Sequence, residues 1–206
     1  DEEIRRLASG LEAVRKAAPN IPVSVDTFRA DVARWCVTES GADIINDISG
    51  GTLDNRMFET VASLRVPYIL MHMRGTPSTM QSLTDYPDGV TTGVMSELAP
   101  KVERLALMGV SDVIVDPGFG FAKTLEQNYR LLRDLEIFER FGLPLLVGVS
   151  RKSMATRLLG VSAAEALNAT TVINTLALER GASILRVHDV KAAREAVDIT
   201  TCLNEV

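Results

Sequence analysis

The amino-acid sequence predicts an α/β fold of the TIM-type (β/α)8 barrel, with six βα units in this chain. Short apolar runs rich in β-branched residues alternate with segments of helical periodicity, and each run ends on polar side chains. Strands that alternate with helices form parallel sheets, and in a barrel the active site lies at the carboxyl ends of the strands. We therefore expect the function to reside in these six polar endings.

The predicted strands are short apolar runs, and each intervening segment has a helical period. Glycine stands before four of the runs, where its left-handed conformation suits a helix-to-strand turn, at Gly41, Gly109, Gly142 and Gly181. Residues 1–18 are predicted to form a helix that leads into the first strand. The runs and their polar endings are PVSV with Asp26, DII with Asn46 and Asp47, PYILM with His72, DVIV with Asp116, PLLVGV with Ser150 to Lys152, and SIL with Arg186 and His188.

Two segments depart from the regular alternation. Residues 74–89 have no helical or strand period and directly follow His72, which predicts either a functional lid or a disordered loop. Pro100 interrupts a helical pattern, which predicts either a kink or a helix that begins near Ala99.

Composition restricts the class of protein. A chain of 206 residues with 46% hydrophobic content can bury one core, so we expect one domain over residues 1–206. A formal charge of −5 without a basic block argues against nucleic acid or membrane partners. Cys36 and Cys202 form neither a disulfide framework nor a metal-ligand spacing, which favours a cytoplasmic location. The amino end is charged and amphipathic, so it is not expected to be a signal peptide, and no apolar run approaches the roughly 18 residues of a membrane span.

Two carboxylates and one amide at strand ends are suited to a planar heterocycle. Asp26 and Asp116 can each accept two parallel N–H donors, and Asn46 offers both a donor and an acceptor. Aspartate also caps helices and turns, so either carboxylate alone is weak evidence. Phe121, in the DPGFGF turn that begins at Asp116, is predicted to form a wall for a ligand, because a structural turn does not require an aromatic ring.

Basic residues follow the last two strands. In Ser150-Arg151-Lys152-Ser153 the two cations are expected to converge on an anion near the start of a helix. Arg186 and His188 are predicted to share one face of the last strand, where they can bind phosphate or stack on a ring. Only two histidines are present, so a histidine-based metal site is not expected. The sequence does not decide whether His72 has a functional role or only packs in the interior.

Six motifs, in this order, resemble those of the dihydropteroate synthase family, the pterin-binding barrel enzymes of folate synthesis: SVDT, INDISGG, LMHMRGTP, DPGFGFAKT, GVSRKSM and RVHDV. The resemblance extends from about Pro22 to Val190. It implies a transferase that condenses 6-hydroxymethyl-7,8-dihydropterin pyrophosphate with p-aminobenzoate to give 7,8-dihydropteroate and pyrophosphate. It also implies a possible homodimer formed through outer helices, to which Val172, Leu176 and Leu178 could contribute.

The resemblance implies a role for each matching residue. Lys152, Arg186 and His188 would be catalytic, and Arg186 and His188 would bind the pyrophosphate. Phe121, Lys152 and Ser153 would bind p-aminobenzoate. The residues implied to bind the pterin are Asp26, Asn46, Ile48, Met71, Asp116, Lys152 and Arg186.

The chain departs from the family pattern in two respects. Ala122 stands where the family commonly has glycine, a change that we expect to be tolerated if the backbone φ there is negative. The motifs of the first two βα units are not found, which indicates that only the last six units are present. Mg²⁺ is implied as a cofactor, but its asparagine ligand belongs to a missing strand, so we predict no metal ligand here.

The missing units are compatible with three hypotheses. The chain is an active synthase, a fragment that binds pterin without catalysis, or a pterin-dependent methyltransferase domain. The SRKS and RVH motifs argue against the methyltransferase, because a methyl-tetrahydrofolate substrate has no pyrophosphate for those cations to bind.

Overall fold

A computed structural model of the chain describes residues 2–205. Contacts between residues divide the chain into two compact units. The first unit contains Asp1–Met71 and Pro100–Ile114, and the second contains His72–Ala99 and Val115–Val206. The prediction of one domain over residues 1–206 stays a prediction.

Helices and strands alternate along the chain, which confirms the α/β class. The strands are β1 (Ser24–Asp26), β2 (Ile44–Asp47), β3 (Tyr68–Met71), β4 (Val113–Asp116), β5 (Leu146–Val147) and β6 (Ile184–Leu185). The α-helices are α1 (Glu2–Ala17), α2 (Ala30–Ser40), α3 (Met57–Leu64), α4 (Val90–Leu107), α5 (Leu125–Arg133), α6 (Ser153–Leu159), α7 (Leu167–Leu178) and α8 (Val190–Asn204). Short 3₁₀ helices span Met80–Ser82 and Leu135–Phe141. That these are the last six units of an eight-unit barrel stays a prediction.

The sheet of the first unit is parallel and buried. β1 pairs with β2 and β2 pairs with β3, in a register that sets Asp26 opposite Asn46. Ile45, Tyr68 and Leu70 on these strands are completely buried. A parallel sheet that is covered on its faces favours such apolar strands. The register therefore brings the polar ends of β1 and β2 side by side.

In the second unit, β5 pairs with β6 in parallel, with Leu146 opposite Ile184. Val115 forms a single parallel bridge with Leu145, which aligns the end of β4 with the start of β5. The last strand ends at Leu185, so Arg186 and His188 lie beyond it. Their placement on the last strand was wrong, but the Arg186 N–H still donates to Val147 O at 2.9 Å, and Arg186 and His188 are exposed on either side of the half-buried Val187. That Arg186 and His188 share one face stays a prediction.

Three local predictions are tested by the helices and turns. α1, Glu2–Ala17, confirms most of the helix predicted over residues 1–18, of which residue 1 lies outside the described residues. Pro100 lies inside the continuous helix α4, which excludes a helix that begins near Ala99. The four predicted glycine turns all have positive φ, with values from 61° at Gly142 to 89° at Gly181. None of the helices formed by residues 2–205 is both long and apolar enough to cross a bilayer.

Candidate active site

A carboxylate and an amide meet at the strand ends of the first unit. Asn46 Nδ2 donates to Asp26 Oδ1 at 2.5 Å. Asn46 is buried, with 2% of its surface exposed, whereas Asp26 is exposed. Among residues 2–205, Asn46 Oδ1 has no hydrogen-bond partner. A buried acceptor without a donor costs free energy, so this oxygen is suited to an N–H group of a ligand.

The neighbouring Asp47 has a structural role instead. Its carboxylate accepts hydrogen bonds from Ser49, from the Gly51 N–H at 2.8 Å and from the Tyr68 hydroxyl at 2.8 Å. Burial raises the pKa of Tyr68 well above its usual value, and the charge of Asp47 adds to this effect. Asp47 therefore folds the INDISGG loop onto β3. In the same unit, Met71 is buried and Ile48 is half-buried.

Asp116 occupies a buried environment in the second unit. Only 4% of its surface is exposed, and its Oδ1 accepts the Gly118 N–H at 2.8 Å. Burial raises the pKa of Asp116, and the positive charges of Lys152, Arg186 and Lys123 oppose that rise. The aspartate thus caps its own turn and also faces three cations. Its role in binding a heterocycle stays a prediction.

Lys152 connects Asp116 with the turn that follows it. Its Nζ donates to Phe119 O at 2.8 Å and lies 4.9 Å from the centroid of the Phe121 ring. Burial lowers the pKa of Lys152, and the charge of Asp116 counteracts that effect. Ser153 directly follows as the exposed first residue of α6. Of the three residues predicted for p-aminobenzoate, the second unit therefore brings Lys152 and Phe121 together, with Ser153 next to Lys152 in the chain.

Arg151 does not point to an anion site. Its Nε and Nη2 donate to the two carboxylate oxygens of Asp189 at 2.8 and 2.7 Å, and its Nη1 donates to Ala163 O at 2.9 Å. The prediction that Arg151 and Lys152 converge on an anion was wrong, because Asp189 already neutralises Arg151. The paired hydrogen bonds between Arg151 and Asp189 hold the start of α8 to the loop after β5. The two residues are 38 positions apart in the sequence.

Arg186, unlike Arg151, has an influence on the pKa of Lys152, which its positive charge lowers. A Cβ atom built on Gly148 would lie 3.7 Å from Arg186 Cβ and 3.9 Å from Lys152 Nζ, so both side chains lie near this glycine. His188 is exposed, and its Nδ1 and backbone N–H contact Ser150 Oγ at 2.9 and 3.2 Å. Ser150 therefore orients the imidazole of His188.

The structure contains a buried cluster around Lys123 that was not predicted from the sequence. Lys123 Nζ contacts His72 Nδ1 at 3.0 Å, and His72 Nε2 contacts Glu97 Oε2 at 3.1 Å. Arg74 Nε donates to Glu97 Oε1 at 2.8 Å. In the sequence, His72 stands at the end of a predicted strand and Lys123 at the end of an apolar turn. Neither position indicates that the two residues are partners.

Residues 74–89 are held against the turn after β4. Tyr86 donates its hydroxyl to Ala122 O at 3.0 Å, and Gln81 Nε2 donates to Gly120 O at 3.2 Å. Arg74 lies over the Tyr86 ring at 3.7 Å from its centroid. These contacts argue against the disordered loop, while the role as a lid stays a prediction.

Ala122 has a φ of +52°. Alanine was expected to be tolerated here if φ were negative, and that condition is not met. An alanine in this left-handed region costs about 1–2 kcal/mol, which glycine would avoid. The residue is completely buried.

Among residues 2–205, no three or more His, Cys, Asp or Glu side chains are grouped to hold a metal ion.

The fold and these two groups of side chains define a class: parallel α/β proteins with polar and charged side chains beyond the carboxyl ends of their strands, where barrel enzymes have their active sites. Residues 1–188 match the family model of the pterin binding enzymes. The dihydropteroate synthase of Synechocystis sp. is 42% identical over 98% of this chain and 70% of its own length.

Solved structures give the same result. The Thermus thermophilus dihydropteroate synthase in complex with 4-aminobenzoate is 40% identical, with a TM-score of 0.91, and covers 98% of this chain and 78% of its own. The Xanthomonas albilineans dihydropteroate synthase in complex with 7,8-dihydropteroate is 33% identical, with a TM-score of 0.89, and covers 100% of this chain and 75% of its own. The chain belongs to the dihydropteroate synthase family, whose members are transferases.

Proposed function

We propose that this chain joins 6-hydroxymethyl-7,8-dihydropterin pyrophosphate to p-aminobenzoate and releases pyrophosphate. The observation that carries the proposal is the position of Lys152. Its ammonium group faces Asp116, a residue proposed for the pterin, and lies over Phe121, a residue proposed for the aminobenzoate. One cation can therefore touch both reactants, as a condensation requires. The 4-aminobenzoate and 7,8-dihydropteroate complexes of two relatives are consistent with this pair of substrate and product.

The pterin is proposed to be recognised by complementary hydrogen bonds. Asn46 Oδ1 lacks a donor among residues 2–205, and an amino or ring N–H of the pterin would supply it. Asp26 and Asp116 offer carboxylate oxygens to further N–H groups. Ile48 and Met71 are proposed as apolar walls, and Arg186 as a planar group that stacks on the ring.

The pyrophosphate is proposed to meet Arg186 and His188. The guanidinium group can bind two phosphate oxygens at once, and the imidazole can donate from Nε2, because Ser150 already occupies Nδ1. Lys152 lies near the same glycine as Arg186 and adds positive charge. Charge that is already in position stabilises the leaving group as its negative charge develops.

The bond changes require no covalent enzyme intermediate. The C–O bond of the pterin methylene breaks, and its electron pair leaves with the pyrophosphate. The amine lone pair of p-aminobenzoate forms the new C–N bond, and the amine then loses one proton to solvent. Phe121 and Ser153 are proposed to hold the aminobenzoate so that its nitrogen faces the methylene carbon.

Other properties implied by the resemblance stay predictions. Mg²⁺ is one of them, but residues 2–205 do not form a cluster that fits the ion, so no step uses it. A homodimer is another, and the exposed Val172 and Leu176 on α7 are compatible with it. The absence of a nucleic-acid partner and a cytoplasmic location, both expected from composition, also stay predictions. We further propose the chain as a sulfonamide target, as the resemblance implies.

The test is pyrophosphate release from the purified chain with both substrates present, together with incorporation of labelled p-aminobenzoate. Turnover that needs both substrates supports the proposal. Binding of the pterin pyrophosphate without turnover would instead support the binding-only fragment. Methyl transfer from methyl-tetrahydrofolate would favour the methyltransferase domain and refute the condensation.

A further inference from the structure

Lys123 is a buried lysine for which the proposed mechanism has no role. Only 3% of its surface is exposed, although an unpaired ammonium group is costly in such a place. The group is instead fully satisfied. Its three N–H donors meet Gly118 O at 3.0 Å, Phe121 O at 2.9 Å and His72 Nδ1 at 3.0 Å.

One arrangement of protons satisfies the whole cluster. The ammonium group of Lys123 donates to His72 Nδ1, so the imidazole carries its proton on Nε2 and donates it to Glu97 Oε2. Glu97 also accepts from Arg74. Hydrogen bonds from His72 and from Arg74 lower the pKa of Glu97 to about 2, so it is ionised at neutral pH. Glu97 thereby fixes His72 as the acceptor that Lys123 needs.

The two carbonyl groups that Lys123 holds belong to the turn after β4. Between them lies Phe119, whose carbonyl accepts from Lys152, and Phe121 itself carries the ring under Lys152. The turn has little freedom to compensate: a Cβ atom on Gly118 would lie 2.0 Å from His72 O. The backbone of His72 thus packs directly against the turn that its side chain helps to hold.

We propose that Lys123 is a positioning residue for the aminobenzoate side of the active site. It holds the turn 116–121 in the shape that places Phe119 O and the Phe121 ring at Lys152. His72 and Glu97 complete the arrangement by fixing the third hydrogen bond of Lys123. This inference rests on the proposed function for its kinetic consequence, but not for its structural one.

The cluster also couples the turn to pH. Burial lowers the pKa of Lys123 to about 7. Above that pH the neutral amine has two hydrogens for three acceptors, so one acceptor loses its donor. The charged groups around Lys123 are Asp116 and Glu97, which favour the ammonium form, and Lys152 and Arg74, which oppose it; His72 is neutral in the arrangement described.

The first test compares Lys123→Met with Lys16→Met, a variant of an exposed lysine in α1. We expect Lys123→Met to raise the KM for p-aminobenzoate about tenfold, as for one lost hydrogen bond to a charged group, and to change the KM for the pterin pyrophosphate less than twofold. Amide hydrogen exchange of residues 117–123 should become faster in Lys123→Met alone. Unchanged exchange, or lowered stability with both KM values unchanged, would overturn the proposal.

The second test uses Glu97→Gln, whose half-exposed side chain makes a folding failure less of a concern. In the wild-type chain the KM for p-aminobenzoate should rise above about pH 7. Removing the negative charge of Glu97 lowers the pKa of Lys123, so this rise should move to lower pH in Glu97→Gln. Glu97 is not among the groups that shift the pKa of Lys152, so a shift identifies Lys123. An unmoved profile would contradict the proposal, even if Lys123→Met fails to fold.

The two proposals can fail separately. If the wild-type chain has no turnover with both substrates, the proposed function is wrong, and hydrogen exchange of the turn still decides whether Lys123 positions it. If the wild-type chain turns over and neither variant differs from Lys16→Met, the positioning role is wrong and the function stands.

Discussion

Asp26 in the first unit and Asp116 in the second each end a short parallel strand, but their surroundings differ. Asp26 is exposed and accepts from the neutral amide of Asn46. Asp116 is buried and faces the charges of Lys152, Arg186 and Lys123. An exposed carboxylate is stabilised by water, whereas a buried one needs cations to stay charged. The same residue type at the same kind of position can therefore do different chemistry.

The difference suggests a division of work between the two groups of residues. The first unit offers neutral and acidic hydrogen-bonding groups, which suit the edge of a heterocycle. The second unit concentrates positive charge, which suits a leaving group that becomes more negative during the reaction. Substitutions in the two units should therefore alter different kinetic constants.

The largest effect is expected for Lys152→Met in the second unit. The loss of this cation should lower kcat by about 10²–10³-fold, because it removes charge that stabilises the transition state. Steady-state pyrophosphate release measures the effect, with Lys191→Met on the exposed face of α8 as a control. A fall in kcat of less than about threefold would contradict the role of Lys152.

A smaller effect is expected for Asn46→Ala in the first unit. It removes the donor to Asp26 and the buried acceptor, so the KM for the pterin pyrophosphate should rise about 10–100-fold, with a smaller change in kcat. Asn55→Ala, at an exposed asparagine of the same unit, serves as the control. If kcat falls and KM does not change, the two units do not divide the work as described.

The buried state of Asp116 should be visible in the pH dependence of stability. The pKa of the Asp116 carboxyl group is higher in the folded chain than in the unfolded chain. Its contribution to the free energy of unfolding is therefore fully present below about pH 4, and it is lost as the pH rises through the folded pKa. The free energy of unfolding of the wild-type chain should therefore fall relative to Asp116→Asn between pH 4 and pH 7. Denaturant titration at several pH values measures this difference.

Asp88→Asn provides the matched control, because Asp88 is exposed in the same unit. Its difference from the wild-type chain should not follow the same course. A constant difference for Asp116→Asn across this pH range would mean that the surrounding cations cancel the cost of burying Asp116.

The smallest effects compare two residues with left-handed backbone, one in each unit. Arg65 has a φ of +56° and is exposed, so Arg65→Gly should stabilise the chain by about 0.5–1 kcal/mol. Ala122 has a φ of +52° but is completely buried, so Ala122→Gly also loses about 0.8 kcal/mol of methyl burial. We expect its net change to be near zero.

Thermal or denaturant unfolding checks both glycine variants against the wild-type chain. Equal stabilisation by the two substitutions would show that burial of the Ala122 methyl group contributes little. Destabilisation by Arg65→Gly would show that the arginine side chain makes a contact that outweighs its backbone strain.

Local patterns in the sequence predicted much of the fold and part of the candidate site. Apolar runs and glycine stops located the strands and turns, because secondary structure depends on neighbours a few residues apart. The polar residues at Asp26, Asn46 and Asp116 were found in the same way. Arg151 was misjudged, since a basic residue beside a strand end has the same local pattern whether or not a distant carboxylate neutralises it.

Partners that are distant in sequence explain what was missed. His72 and Lys123 are 51 residues apart, and neither has a local pattern that identifies the other. The same limit applies to Ala122, whose positive φ follows from the shape of a buried turn rather than from its neighbours in sequence.

The sequence by itself determined the α/β class, the order of the strands and the motifs that place the chain in its family. Only the tertiary structure decided which cation is neutralised by a carboxylate, which carboxylate is buried and which lysine holds the turn after β4. The physical reason is that periodicity reports a residue's immediate neighbours along the chain. Charge, burial and hydrogen bonding depend on atoms that come close only after folding.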